Sequence, residues 1–149
     1  MLRKALDPEQ GPAHWPNGLQ LRPWAPATGP AAHALLLETE QLEPGLTCAQ
    51  WLEQLQADPE VSPHLCLTVF DANGLAGFAM GWASTFIRHL AVQPHARRQG
   101  LGTALLAQLF FMYSQRGEVL VDLTLRADNT AARRLYAQAG MFEFRRYTL

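Results

Sequence analysis

Three apolar runs lie close together in the middle of the chain, and each is short enough for a strand. His64–Asp71 is rich in β-formers, Leu75–Trp82 follows after the turn residues Asp71-Ala72-Asn73-Gly74, and Phe86–Val92 follows after Ala83-Ser84-Thr85. Short turns between consecutive strands predict an antiparallel meander. After Pro94 the period changes. Leu101–Arg116 places apolar residues at helical spacing, and Gly117 stands where a helix C-cap belongs. Val119–Leu125 reads as a further strand. Asn129 is placed to cap a helix through Ala139, which Gly140 ends, and Phe142–Leu149 reads as a last strand. A strand, a helix and a strand in succession at Phe86, Leu101 and Val119 predict one parallel β-α-β crossover.

The first third of the chain is less regular. Met1–Gly18 carries Pro8, Gly11, Pro12, Pro16 and Gly18, so it is expected to be a flexible arm without regular structure. Leu19–Arg22 alternates and predicts a short strand. Thr28–Glu40 predicts a helix capped by Thr28 with Pro30 in its first turn, and Thr47 caps a second helix through Ala57. The expected architecture is α/β: an N-terminal arm over 1–18, then one domain over 19–149. In that domain about four helices flank a single mixed, mostly antiparallel sheet.

Composition narrows the class. The chain has 149 residues, 48% of them hydrophobic, which suits one domain with a core. A net charge of -1 gives no general attraction to nucleic acid or to an acidic membrane surface. No apolar stretch reaches membrane-spanning length, and Arg3 and Lys4 are not followed by a signal-like apolar run. Cys48 and Cys66 form no CxxC, and no His/Cys spacing suggests a metal. A cytoplasmic protein without metal is the expectation.

The stretch Arg97-Arg98-Gln99-Gly100-Leu101-Gly102 lies between a predicted strand and a predicted helix. Such a turn collects free backbone N–H groups, two guanidinium groups and a positive helix terminus at one place, a combination that binds phosphate. Alone, the pattern is loose. A second segment, Asn129-x-x-Ala132-x-x-Leu135-Tyr136-x-x-x-Gly140, puts a capping amide and a tyrosine on nearly one helix face.

In this order the two segments, with His89-Leu90-Ala91-Val92-x-Pro94 before the turn, resemble the GCN5-related N-acetyltransferase superfamily. The order of elements from Leu19 to Leu149 is similar as well. The resemblance implies an acetyl-CoA site. Backbone N–H groups from Arg97, Arg98, Gln99, Gly100, Leu101, Gly102 and Thr103 would hold the pyrophosphate. Leu90, Ala91 and Val92 would pair strand-like with the pantetheine arm, whose amides match a strand edge. An N–H at Val92 or its neighbour would polarise the thioester carbonyl. Asn129 would contact the pantetheine or pyrophosphate, and Tyr136 would protonate the departing thiolate.

Two features depart from the superfamily. Phe86 and Arg88 stand where its base is often found, and neither serves as one. His89 points to the opposite face, and Asp122 and Thr124 are further candidates. Arg88 reads either as a ligand for a substrate carboxylate or phosphate or as a strand arginine reaching to solvent. Trp82 is the best aromatic candidate for lining the acceptor pocket. After the last helix there is room for one strand where the superfamily usually has two. The sheet is then completed by a partner chain in a homodimer, completed by the Met1–Gly18 arm, or left short. The implied activity is transfer of acetyl from acetyl-CoA to a primary amine of a small molecule or protein N-terminus by direct attack in a ternary complex. The alternative is an acyl-CoA-binding module without catalysis.

Overall fold

The computed structural model describes residues 1–125 and 129–144. Among these residues seven strands and four helices follow in order: β1 (Leu2–Ala5), β2 (Gln20–Arg22), α1 (Gly29–Glu38), α2 (Cys48–Ala57), β3 (Val61–Asp71), β4 (Gly74–Trp82), β5 (Ile87–Val92), α3 (Leu101–Gln115), β6 (Leu120–Leu123), α4 (Thr130–Gln138) and β7 (Phe142–Glu143). The mixed α/β class with four helices is as expected. The link between the strand expected at Val119–Leu125 and the Asn129 cap, and the last strand beyond Phe144, fall outside the described residues.

Strands β2-β3-β4-β5 form one antiparallel sheet with helices on both faces. Side chains along β3 alternate between two cores. Leu65, Leu67 and Val69 pack with Leu105 and Leu109 of α3, while Cys66 packs with Leu35 and Leu36 of α1 and Trp51 of α2. Burial on both faces explains why β3 and β4 read as near-continuous apolar runs. Pro63 lies within a register irregularity between Val61 and Cys66, where a strand tolerates a missing donor. Helix α3 approaches β4 over a row of small residues. A Cβ at Gly77 would come within 3.0 Å of Leu101, and one at Gly81 would collide with the Tyr113 hydroxyl, which donates to the Trp82 carbonyl at 2.6 Å. Thr47 builds a capping box with Gln50 at the start of α2. Thr28 makes no such bond, because the 3-10 turn Pro26–Thr28 leads directly into α1 with helical backbone.

The N-terminal expectation is corrected. Leu2–Ala5 is a strand, and it lies between β6 and β7, antiparallel to both. Arg3 holds it there: its Nε and Nη2 donate to the two carboxylate oxygens of Asp122 at 2.7 and 3.0 Å, and its guanidinium lies 3.6 Å from the centre of the Phe144 ring. The following residues are tied to α3, with Gln10 Nε2 donating to the Ala107 carbonyl and the Ala13 N–H to Gln108 Oε1. Of the three ways to complete the sheet, the arm is the one observed. The single sheet is corrected too: β6-β1-β7 forms a second sheet, joined to the first by one parallel bridge, Phe86 to Asp122. Beyond that bridge β5 and β6 separate.

Candidate active site

The separation begins at a β-bulge. His89 faces Met80 and Ile87 faces Gly81, so β5 gains one residue, Arg88, on β4. A bulge bends its strand and ends regular pairing, and here it turns β5 away from β6. The Gln93 N–H donates to the Ala76 carbonyl on the β4 side. By alternation, the N–H and C=O groups of Leu90 and Val92 point the other way, into the gap.

Next along the chain comes the turn. Pro94–Ala96 is one 3-10 turn, Arg98 has φ of +63° and Gly100 φ of +82°. Glycine carries that second left-handed position without strain. Helix α3 starts at Leu101, and its first intrahelical bond runs from the Ala104 N–H to the Gly100 carbonyl. The N–H groups of Leu101, Gly102 and Thr103 are therefore left over at a helix N-terminus with no acidic residue in its first turn. A Cβ on Gly102 would come within 3.1 Å of Leu135 and 3.9 Å of Val92, so this glycine lets α3, α4 and β5 close around one end of the gap.

Helix α4 forms the opposite wall. The Asn129 side-chain oxygen accepts from the Ala132 N–H at 3.1 Å, as its sequence position predicts. Two turns on, Tyr136 is buried, and desolvation pushes its hydroxyl from 10 up to about 12.

Between these walls lie two adjoining cavities of about 750 and 610 Å³. The larger is lined by Leu90, Ala91, Val92, Arg97, Arg98, Gly100, Leu101, Gly102 and Thr103. The smaller runs past Arg88, His89 and Thr124. Thr39, Gln41, Leu90, Asn129, Ala132 and Tyr136 line both, so Tyr136 stands at the junction. A third cavity, about 560 Å³, continues beyond Glu40, Gln41 and Arg88 over the α1–α2 connection.

Most expected residues are thus brought together, and two are not. Gln99 lies outside the lining, with its amide turned back to the His95 carbonyl at 3.4 Å. Trp82 also lies outside it, packed on Phe86 at 5.3 Å between ring centres, with the Arg88 guanidinium 6.0 Å from its ring. Arg97 is placed differently from a plain phosphate ligand: its Nε donates to the Val92 carbonyl at 3.1 Å. The sequence reading missed Gln41, which carries no motif and lies in the turn after α1.

The base candidates fare poorly. Asp122 is engaged by Arg3. His89 is buried, and desolvation together with the nearby Arg88 charge lowers it to about 3. A ring held neutral that strongly does not retain a proton taken from an amine. The residues present do suit an acyl-CoA donor. The free helix N–H groups match a pyrophosphate, and the open strand edge matches a chain of amides. Among the described residues, no group of three or more His, Cys, Asp or Glu is arranged to hold a metal ion, and no helix is long and apolar enough to cross a membrane.

Comparison with known proteins agrees with this geometry. The pattern of the Acetyltransferase (GNAT) family matches residues 30–141, and the chain belongs to that family. Over 95 residues it is 39% identical to the mycothiol acetyltransferase of Clavibacter michiganensis, covering 60% of this chain and 30% of that protein. Over 96 residues it is 32% identical to the ribosomal protein bS18 alanine N-acetyltransferase of Escherichia coli, covering 62% and 65%. The structure of a GCN5-related N-acetyltransferase from Sphaerobacter thermophilus superposes with a TM-score of 0.79 at 28% identity, over 95% of this chain and 46% of that one. The chain spans less than two thirds of the length of each of these proteins.

Proposed function

We propose that the chain transfers an acetyl group from acetyl-CoA to a primary amine, of a small molecule or of a protein N-terminus, by direct attack within a ternary complex. The observation that carries this is the continuous cleft, in which the exposed edge of β5, the free N–H groups at the start of α3 and the Tyr136 hydroxyl meet. The relatives support an amine acceptor of either size: one is a mycothiol acetyltransferase and another is a ribosomal protein bS18 alanine N-acetyltransferase.

Acetyl-CoA supplies an activated thioester. The α3 N-terminus and Arg98 hold its pyrophosphate, and Leu90 and Val92 present backbone groups along its arm. An N–H of β5 donates to the carbonyl oxygen as charge builds there. Tyr136 donates a hydrogen bond to the departing sulfur. The acceptor amine enters through the smaller cavity beside Arg88 and attacks in its neutral form. Its proton leaves to water in the open cavity, since neither His89 nor Asp122 is disposed to take it. Arg88 offers a guanidinium to an acceptor carboxylate or phosphate.

That neither His89 nor Asp122 is disposed to act as the base favours a second reading, an acyl-CoA-binding module without catalysis. One experiment separates them. Acetyl-CoA binding is measured by isothermal titration, and a panel of amines and peptide N-termini is screened for release of free CoA thiol. Binding with release supports the enzyme, and binding without release from any acceptor supports the module. No binding overturns both.

A further inference from the structure

No strand covers the edge of β5 that an acyl-CoA arm would use, but a side chain pairs with it at Leu90. Gln41 leaves the end of α1 through a turn in which Glu40 has φ of +58°, and its own N–H donates to the Leu36 carbonyl at 2.8 Å. From this anchored backbone the carboxamide reaches β5. Its Nε2 donates to the Leu90 carbonyl at 2.9 Å and to Thr39 Oγ1 at 3.0 Å. Its Oε1 accepts from the Leu90 N–H at 3.4 Å and lies 3.1 Å from His89 Nδ1. A primary amide that gives an N–H to a residue's C=O and takes that residue's N–H repeats what a neighbouring strand's peptide does. The longer Leu90 N–H contact makes the carbonyl side the firmer half of the mimicry.

Position adds to geometry. Gln41 lines the larger, the smaller and the third cavity alike. It is half-buried, on a connection between helices and not within one, so a change of rotamer frees Leu90 without moving a helix. The second exposed carbonyl of this edge, that of Val92, is capped in a similar way by Arg97 Nε. Leu90 is the β5 residue that lines both cavities, as Tyr136 does, and its polar groups are the ones covered from the α1 side.

Resting on the acetyl-CoA reading above, we propose that Gln41 is a displaceable strand mimic. Its carboxamide and the amide-bearing arm of the donor compete for the same N–H and C=O of Leu90. In the free protein Gln41 keeps these groups paired beside the buried His89. When the donor arrives, the carboxamide gives up Leu90 and turns into the smaller cavity, which Gln41 also lines. Gln41 therefore sets donor affinity by competition, and it lowers that affinity.

The test is isothermal titration of wild type, Gln41→Ala and Gln41→Met with two ligands: acetyl-CoA, and the nucleotide fragment of CoA that lacks the pantetheine arm. Methionine keeps the bulk of the side chain and removes its hydrogen bonds. Loss of one net competing hydrogen bond is worth about five-fold. Both variants are expected to bind acetyl-CoA about five-fold more tightly than wild type, and to bind the fragment as wild type does. A merely structural role for Gln41 would not separate the two ligands. Unchanged or weaker acetyl-CoA binding by the variants, with the fragment bound normally, overturns the mimic and leaves the donor site standing. An equal gain for both ligands overturns it as well. If wild type binds neither ligand, the donor reading fails and the mimic with it.

Discussion

Replacing Tyr136 by phenylalanine removes one hydroxyl at the junction of the two cavities and leaves the ring that fills the space beside α4. Burial raises this hydroxyl to about 12. A thiol leaves as thiolate with an ordinary pKa of about 8.5. Complete proton transfer from the first group to the second is uphill by about 3.5 units, or roughly 5 kcal/mol. In the proposed mechanism Tyr136 is therefore a hydrogen-bond donor to the departing sulfur, and the proton that finally resides there comes from solvent. A hydrogen bond to a charged partner contributes about 1.5–3 kcal/mol. Tyr136→Phe is then expected to lower kcat about 10- to 150-fold. Acetyl-CoA affinity should stay within about two-fold, because the bond forms only as charge develops on sulfur. Because the hydroxyl remains protonated well above neutrality, the deficit should be the same from about pH 6 to about pH 9. Thiol release under saturating acetyl-CoA measures kcat, and titration calorimetry measures the affinity. A variant within two-fold of wild type in kcat would refute the role, and a deficit that changes steeply with pH would refute the assignment of the proton.

Three further predictions follow from the packing around the site. His89 is depressed from its ordinary 6.5 to about 3, so the fold prefers it neutral: its contribution is full above 6.5 and is lost as pH falls from there toward 3. About 2 kcal/mol of stability should be gone by pH 5. Urea unfolding at pH 7 and pH 5 should show the loss in wild type and a smaller loss in His89→Gln; equal losses would contradict it. Deleting Met1–Ala5 removes the strand between β6 and β7 and leaves Asp122 without Arg3, so the calorimetric Tm should fall; an unchanged Tm would show that β1 contributes nothing to the fold. In Gly102→Val the new side chain meets Leu135 and Val92 at the wall of the donor cavity. Overpacking there costs about 1–3 kcal/mol, and acetyl-CoA affinity should fall at least about ten-fold, whereas undiminished binding would place the donor elsewhere.

What was legible in the sequence is what local chemistry determines. The apolar runs between turn residues that make β3, β4 and β5, the left-handed glycine before α3 and the Asn129 cap are each fixed by residues a few positions apart, and each stands where its spacing puts it. The turn before α3 and the Tyr136 helix were legible as elements for the same reason. β1 was not. Arg3 and Lys4 interrupt any apolar pattern, and they belong in a strand only because a carboxylate 119 residues away pairs with Arg3 and the Phe144 ring lies beneath it. No window of sequence contains both partners. The bulge at Arg88 was hidden as well, because an extra residue is defined only against β4. From that bulge comes the divergence of β5 from β6. Gln41 completes the case. An amide in a helix-to-helix turn has no signature, and its position against Leu90 exists only once α1 lies beside β5. The turn that lines the larger cavity is contiguous and is read directly, while the groups that shape the rest of the cleft come from β1, the α1–α2 connection and the bulge. Substitutions at those three places are therefore the ones that should alter behaviour without touching any recognisable motif.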